Sequence, residues 1–113
     1  CTSSTATGSI TINGPVKRNG ICYNTINDAL TLGSGSPIEV ISSTLIESFI
    51  IPSGVTLIIL DGAVVTNLNT ITNNGTIQLN TGGTFNNNGI FKGSGTFTGS
   101  FDNPAIGTVA PGN

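Results

Sequence analysis

The chain has 113 residues, only 7% of them charged, a net charge of −2, and no histidine, methionine or tryptophan. That length suits one modest domain, and the scarcity of basic residues excludes a nucleic-acid surface, which needs a cationic stripe to displace counterions. The longest apolar run, VTLIIL with its neighbours, falls far short of the roughly 20 residues a membrane-spanning helix requires, while Ile, Val, Leu and Phe recur too regularly for a disordered chain.

Residues 1–20 read as an N-terminal arm with a strand. Two cysteines without a histidine do not make a zinc site by themselves, so Cys1 and Cys22 are expected to form a disulfide in an oxidising, extracellular or cell-surface setting. A second reading of Cys1 is the acylated first residue of a bacterial lipoprotein, a lipid anchor followed by the polar tether TSSTATGS. No secretion signal is legible, and the sequence reads as a mature form. In SITINGPV, Ile10 and Ile12 alternate with polar residues at the period of a half-buried strand, and NGP ends it. Lys17 and Arg18 read as a solvated turn.

Residues 21–36 hold the expected helix. Asn24 or Thr25 can cap it, and Asp28 falls in its first turn, where negative charge complements the helix dipole. Tyr23, Ile26, Ala29 and Leu30 share one face, and GSGSP stops the helix. After Pro37 the chain reads as strand and turn. IEVIS, LIESFIIPSG, VTLIIL, AVVTNL and TITNNGTIQL follow one another with short breaks, too apolar for a hairpin sheet with one wet face, although Asn74-Gly75 and Asn88-Gly89 keep a meander or sandwich open.

A six-residue beat separates these alternatives. GTFNNN, GIFKGS and GTFTGS succeed one another from Gly83, placing Phe85, Phe91 and Phe97 six apart, with Phe101 out of step. Upstream, Ile59, Val65, Ile71 and Ile77 keep the same spacing before a slip of two residues. Six residues are one short strand plus a corner, so three sides close a coil of about eighteen residues, and successive coils stack with strands ~4.8 Å apart. The beat residues are the expected core, with glycine and asparagine at the corners because they tolerate positive φ. The fold class is therefore all-β, a short parallel β-solenoid over residues 37–101 with one N-terminal capping helix and an extended tail over 102–113.

The stretch YNTINDAL…GSPIEVIS…ESFIIPSGVTLIILDGAVVT resembles the opening region of right-handed parallel β-helix proteins of the pectate-lyase-like type. Tyr23, Thr25, Ile26 and Ala29 match the family's helix motif, and Ile51, Pro52, Gly54, Val55, Thr56 and Leu57 match its Ile-Pro-x-Gly-Val-Thr-Leu motif. The resemblance implies a helix over residues 23–32 lying on the first coil. The later NNGTI and NNGIF segments are similar to Asn-Gly-rich solenoids of microbial surface proteins. SSTLI at residues 42–46 lacks the family's usual Gly-Tyr or Gly-Thr turn, and the family's enzymes run for many more coils.

No enzyme is expected. Glu39 alternates with Ile38 and Val40 and so faces outward. Glu47 and Asp61, fourteen residues apart, come nearest to a carboxylate pair on neighbouring sides, but nothing local sets the separation a glycosidase needs. Without histidine there is no Ser/His or Cys/His pair. No loop carries enough acids for calcium, and no cofactor motif is present. Asn74-Gly75-Thr76 is a glycan acceptor sequence, read here as a coil corner. Lys92 reads as a solvent-facing guard against stray pairing.

A stack of parallel strands has two ends whose backbone groups recruit other strands unless blocked. The expected function is a structural, self-assembling subunit of an extracellular filament or surface fibre. Copies of itself are its partners, polymerising head-to-tail through open solenoid ends or by donating the strand Ile10, Thr11 and Ile12. The alternative is a binding module, an adhesin, carbohydrate reader or ice binder, which would show a regular Thr-x-Thr ladder. A small polysaccharide-active fragment comes third.

Overall fold

The computed structural model describes residues 2–4, 11–99 and 107–111, with side chains described for 14–99 and 107–109. In chain order the strands are β1 (Thr2–Ser4), β2 (Thr11–Asn13), β3 (Val16–Arg18) and β4 (Ile21–Tyr23), followed by helix α1 (Ile26–Leu32). Then come β5 (Ile38–Val40), β6 (Thr44–Ile46), β7 (Ile50–Ile51), β8 (Thr56–Ile59), β9 (Val64–Asn67), β10 (Thr70–Asn73) and β11 (Thr76–Leu79). The last are β12 (Thr84–Asn87), β13 (Ile90–Gly93), β14 (Thr96–Thr98) and β15 (Thr108–Pro111).

The chain winds as a parallel β-solenoid of about three coils with one short helix. Its three sheets follow the order β4-β3-β5-β8-β11-β14, β6-β9-β12 and β7-β10-β13-β15; we call these the first, second and third sheets. Every pairing from β5 onward is parallel. The hairpin-sandwich alternative is thereby excluded for the coils. Antiparallel pairs occur only ahead of them, between β1 and β2, β3 and β4, and β3 and β5.

The register corrects the expected coil length. Leu57 stands beside Ile77 and Ile77 beside Phe97, so the numbering advances by 20 per coil. Val65–Phe85 and Ile71–Phe91 keep the same step. Each coil has two six-residue sides and one of eight. The slip of two after Ile77 is therefore the long corner between the first and second sheets, which also occurs between Leu57 and Val65. Ile59 shares the six-step by coincidence, for it stacks on Leu79 as the second inward residue of its strand.

Successive side chains of a strand point to opposite faces, and here the register stacks the inward residues in columns inside the coil. Ile59, Val65, Ile71 and Ile77 are fully buried, and Phe85 and Phe91 nearly so. Phe97 is half-buried against the same core. The three Phe rings, one from each sheet, meet inside the last described coil with centroids 5.5 to 5.8 Å apart. Edge and tilted contacts of this kind add to area burial.

The corners correct a second expectation. Positive φ is confined mostly to glycines, with Asn19 and Ser42 the non-glycine cases among the described residues. The asparagines act by hydrogen bonding. Asn67, Asn73 and Asn87 point inward and are almost wholly buried, and a buried amide is tolerated only when its donors and acceptors are satisfied. Asn67 Nδ2 donates to Asn87 Oδ1 at 2.8 Å and to the Ile90 carbonyl at 2.9 Å. Ser48 Oγ donates to Asn67 Oδ1 at 2.7 Å, and Asn87 Nδ2 donates to the Thr108 carbonyl at 2.9 Å. A polar ladder thus climbs the corner between the second and third sheets from Ser48 to Thr108. Gly75 meets a different requirement, since a Cβ there would collide with the Val55 carbonyl of the coil below.

Candidate functional site

The two ends of the coil, where its sheets finish, are built differently. At the N-terminal end the chain reverses. Asn19 and Gly20 both take positive φ, 51° and 78°, and join β3 to β4 in a hairpin with a two-residue loop. Asn-Gly supplies that left-handed turn with little strain. β3 then lies antiparallel on β5, so the leading edge of the first sheet carries strands of opposite direction.

Helix α1 lies on the same end against β3, β4 and β5. It starts later than the 23–32 span that the resemblance implies, because Tyr23 belongs to β4. Thr25 is the N-cap, its Oγ1 accepting from the Asp28 N–H at 3.0 Å. Ile26 and Ala29 are its buried residues.

Two charges hold the helix in place. Glu47, at the corner after β6, accepts from the backbone N–H groups of Ile26 and Asn27 at 2.8 and 3.0 Å, and from Asn27 Nδ2 at 3.1 Å. It therefore satisfies two of the four backbone donors that a helix start leaves unpaired. Arg18 is buried rather than solvated. Its guanidinium donates to the Ala29 carbonyl and to the Gly35 carbonyl, both at 2.8 Å, fastening the other end.

The remaining carboxylates lie apart. Asp28 sits in the first turn of α1, and Glu39 faces outward opposite Lys17. Asp61 occupies the long corner between the first and second sheets, with its carboxylate over Gly82. Glu47 and Asp61 thus flank the second sheet at different corners. Among the described residues no group of three or more His, Cys, Asp or Glu is placed to hold a metal ion. Asp102 lies outside the described residues.

At the C-terminal end, β14 pairs with β11 and β12 with β9, and among the described strands neither has a second neighbour. In the third sheet, β15 adds parallel to β13. A cavity of about 220 Å³ opens here, lined by Phe91, Phe97 and Val109 together with Asn73, Gly93 and Gly95. It lies at the corner where Asn73 fills the coil below and Gly93 has no side chain. Beyond Asp61 the described residues carry a single charge, Lys92, half-buried on the third sheet beside Thr72 and Ala110.

The expected assembly strand is placed in part. Thr11 and Ile12 belong to β2, which pairs antiparallel with β1 rather than standing unpartnered, and the ribbon lies against β4. Ile10 falls outside the described residues. So does Cys1; Cys22 is buried on β4. Thr56, Thr76 and Thr96 form one column on the outer face of the first sheet. The second outward column there reads Ile58, Gln78 and Thr98, so no regular Thr-x-Thr ladder results.

Sequence reasoning missed Arg18, Glu47 and the asparagine ladder. The ladder left a signal in the 20-residue spacing of Asn67 and Asn87. The two charges left none, for their partners lie 11 to 21 residues away in folds of the backbone. The chain matches no protein-family model, no curated protein and no solved structure.

Proposed function

We propose that this chain is a structural, non-catalytic subunit of an extracellular filament or surface fibre, built by head-to-tail stacking of solenoids. The observation that carries the reading is the last strand of the first sheet. β14 has a partner on one side only among the described residues, and its own Phe97 turns a half-buried ring onto the core. An exposed strand edge is a template for another strand, and a contact between unlike surfaces does not close, so it propagates. The near absence of charge from the last two coils leaves little repulsion to oppose stacking. The β1–β2 ribbon of a neighbour is the donor we favour for this edge, with a Cys1–Cys22 disulfide tying the ribbon to the hairpin; comparing reduced and non-reduced gels tests that bond. The order of helix, strand and Ile-Pro-x-Gly-Val-Thr-Leu segment supports kinship with pectate-lyase-like β-helices at the level of fold.

Negative-stain electron microscopy and light scattering over a concentration series test the assembly. Long uniform fibres are expected. In the double variant Thr96→Lys and Thr98→Lys, whose exposed side chains put charge on the edge without entering the core, fibres are lost while the circular dichroism is unchanged. A wild-type protein that stays monomeric at high concentration overturns the reading.

A second reading, a binding face, draws on the aligned column Thr56, Thr76 and Thr96. It requires that Thr76→Lys abolish retention on a glycan or ice surface by a protein that remains monomeric.

A further inference from the structure

Three Asn-Gly pairs with described side chains sit in different settings, and two of them, Asn19-Gly20-Ile21 and Asn88-Gly89-Ile90, are identical tripeptides. An Asn-Gly pair can deamidate without an enzyme. The glycine backbone nitrogen attacks Asn Cγ, the new N–Cγ bond closes a succinimide, and the Cγ–Nδ2 bond breaks to release ammonia. Water then opens the ring at either carbonyl, giving aspartate or isoaspartate. The reaction needs only water, a free glycine N–H and a backbone able to rotate.

The coil withholds both of the latter at two pairs. The Gly75 N–H is bonded to Asn73 Oδ1 at 3.2 Å, and the Gly89 N–H points to Asn87 Oδ1 at 3.4 Å. The backbone on either side is pinned to the coil below. Asn74 N–H donates to the Ile51 carbonyl at 2.9 Å and Thr76 N–H to the Val55 carbonyl at 3.0 Å. Asn88 N–H donates to the Asn67 carbonyl at 2.8 Å and Ile90 N–H to the Asn69 carbonyl at 2.7 Å. Asn19 and Gly20 form the exposed tip of the β3–β4 hairpin, and no such bond from the described residues holds the Gly20 N–H.

We propose that, among these three pairs, Asn19 is the deamidation site and that the inward asparagines Asn73 and Asn87 shield the coil corners from the same reaction. The product has a consequence at the capped end. It places a carboxylate beside Arg18, which carries the helix clamp, with Lys17 the next cation along the strand and the Asn19 side chain against Gly35. Isoaspartate also adds one methylene to the backbone of a two-residue turn, which shifts the Arg18–Ile21 register. The hairpin is thus a chemically timed weak point in the cap, independent of whether the protein forms fibres.

The test uses the wild-type chain. Folded protein is incubated at mildly alkaline pH, and peptide mapping by mass spectrometry follows amide loss at Asn19, Asn74 and Asn88; a parallel sample is kept unfolded in urea. In the folded sample Asn19 is expected to convert at least about tenfold faster than the other two, the factor for first opening one or two backbone hydrogen bonds. In urea Asn19 and Asn88 should convert at similar rates, since their tripeptides match. Equal rates in the folded protein, or Asn74 or Asn88 converting first, overturn the proposal. So does an Asn19 preference that persists in urea, because shielding by the fold would then be irrelevant.

Discussion

The capped end and the coil solve the same problem, the burial of a short chain's backbone, by opposite means. Residues 14–47 use charge and long-range polar contacts, with Arg18 and Glu47 reaching across the sequence to fasten a seven-residue helix. A helix that short is not stable alone, because nucleation consumes most of its hydrogen-bond gain. Residues 56–99 use repetition, each side chain lying on its counterpart 20 positions away, with almost no charge. The difference teaches that a periodic coil specifies itself through neighbours, whereas its end, which has no neighbour beyond, needs individual anchors. That is also why the cap ends one side of the stack while β14 has a neighbour on one side only among the described strands.

Mutations can break this contrast in order of size. Phe85→Ala strikes the coil hardest. Its ring is buried against Phe91 and Phe97, and removing it is expected to cost about 3–5 kcal/mol in urea denaturation. If the loss stays under ~1 kcal/mol, the aromatic triangle is not the core of the last coil. Asn67→Ala should cost about 1–3 kcal/mol, because it removes the acceptor of the Ser48 hydroxyl and the amide donor to Asn87 Oδ1 and the Ile90 carbonyl inside the corner. Asn67→Leu should do no better, since the same hydrogen bonds are lost; a Leu variant as stable as wild type would show that the ladder fills space and nothing more. Glu47→Ala has the smallest expected effect, about 1 kcal/mol for a half-exposed carboxylate at a helix start. It should appear as faster amide exchange at residues 26–32 with the coil amides unchanged. Exchange rising equally in β8–β14 would mean that cap and coil unfold as one unit.

Much of the coil was legible because its determinants are local and repeated. The beat of Val65, Ile71, Ile77, Phe85, Phe91 and Phe97 announces inward residues one per side, and Thr25 with Asp28 announces a helix start. The twenty-residue period was harder to see, since Ile59 also lies six before Val65 and hides the long side. The asparagines misled for a related reason: in sequence, Asn beside Gly signals a turn, and nothing in the dipeptide tells whether the preceding Asn points in or out. Asn67 and Asn87 became ladder residues only because winding set one above the other.

Taken alone, then, the sequence determined that the chain forms short sides with one apolar residue turned inward, and that a helix precedes them, because side-chain period and capping act over a few residues. The tertiary structure alone decided which coil lies on which, that Glu47 and Arg18 serve the cap, and which strands lack a second neighbour among the described residues. Those outcomes depend on contacts between residues tens of positions apart, whose geometry exists only after the backbone has closed its turns.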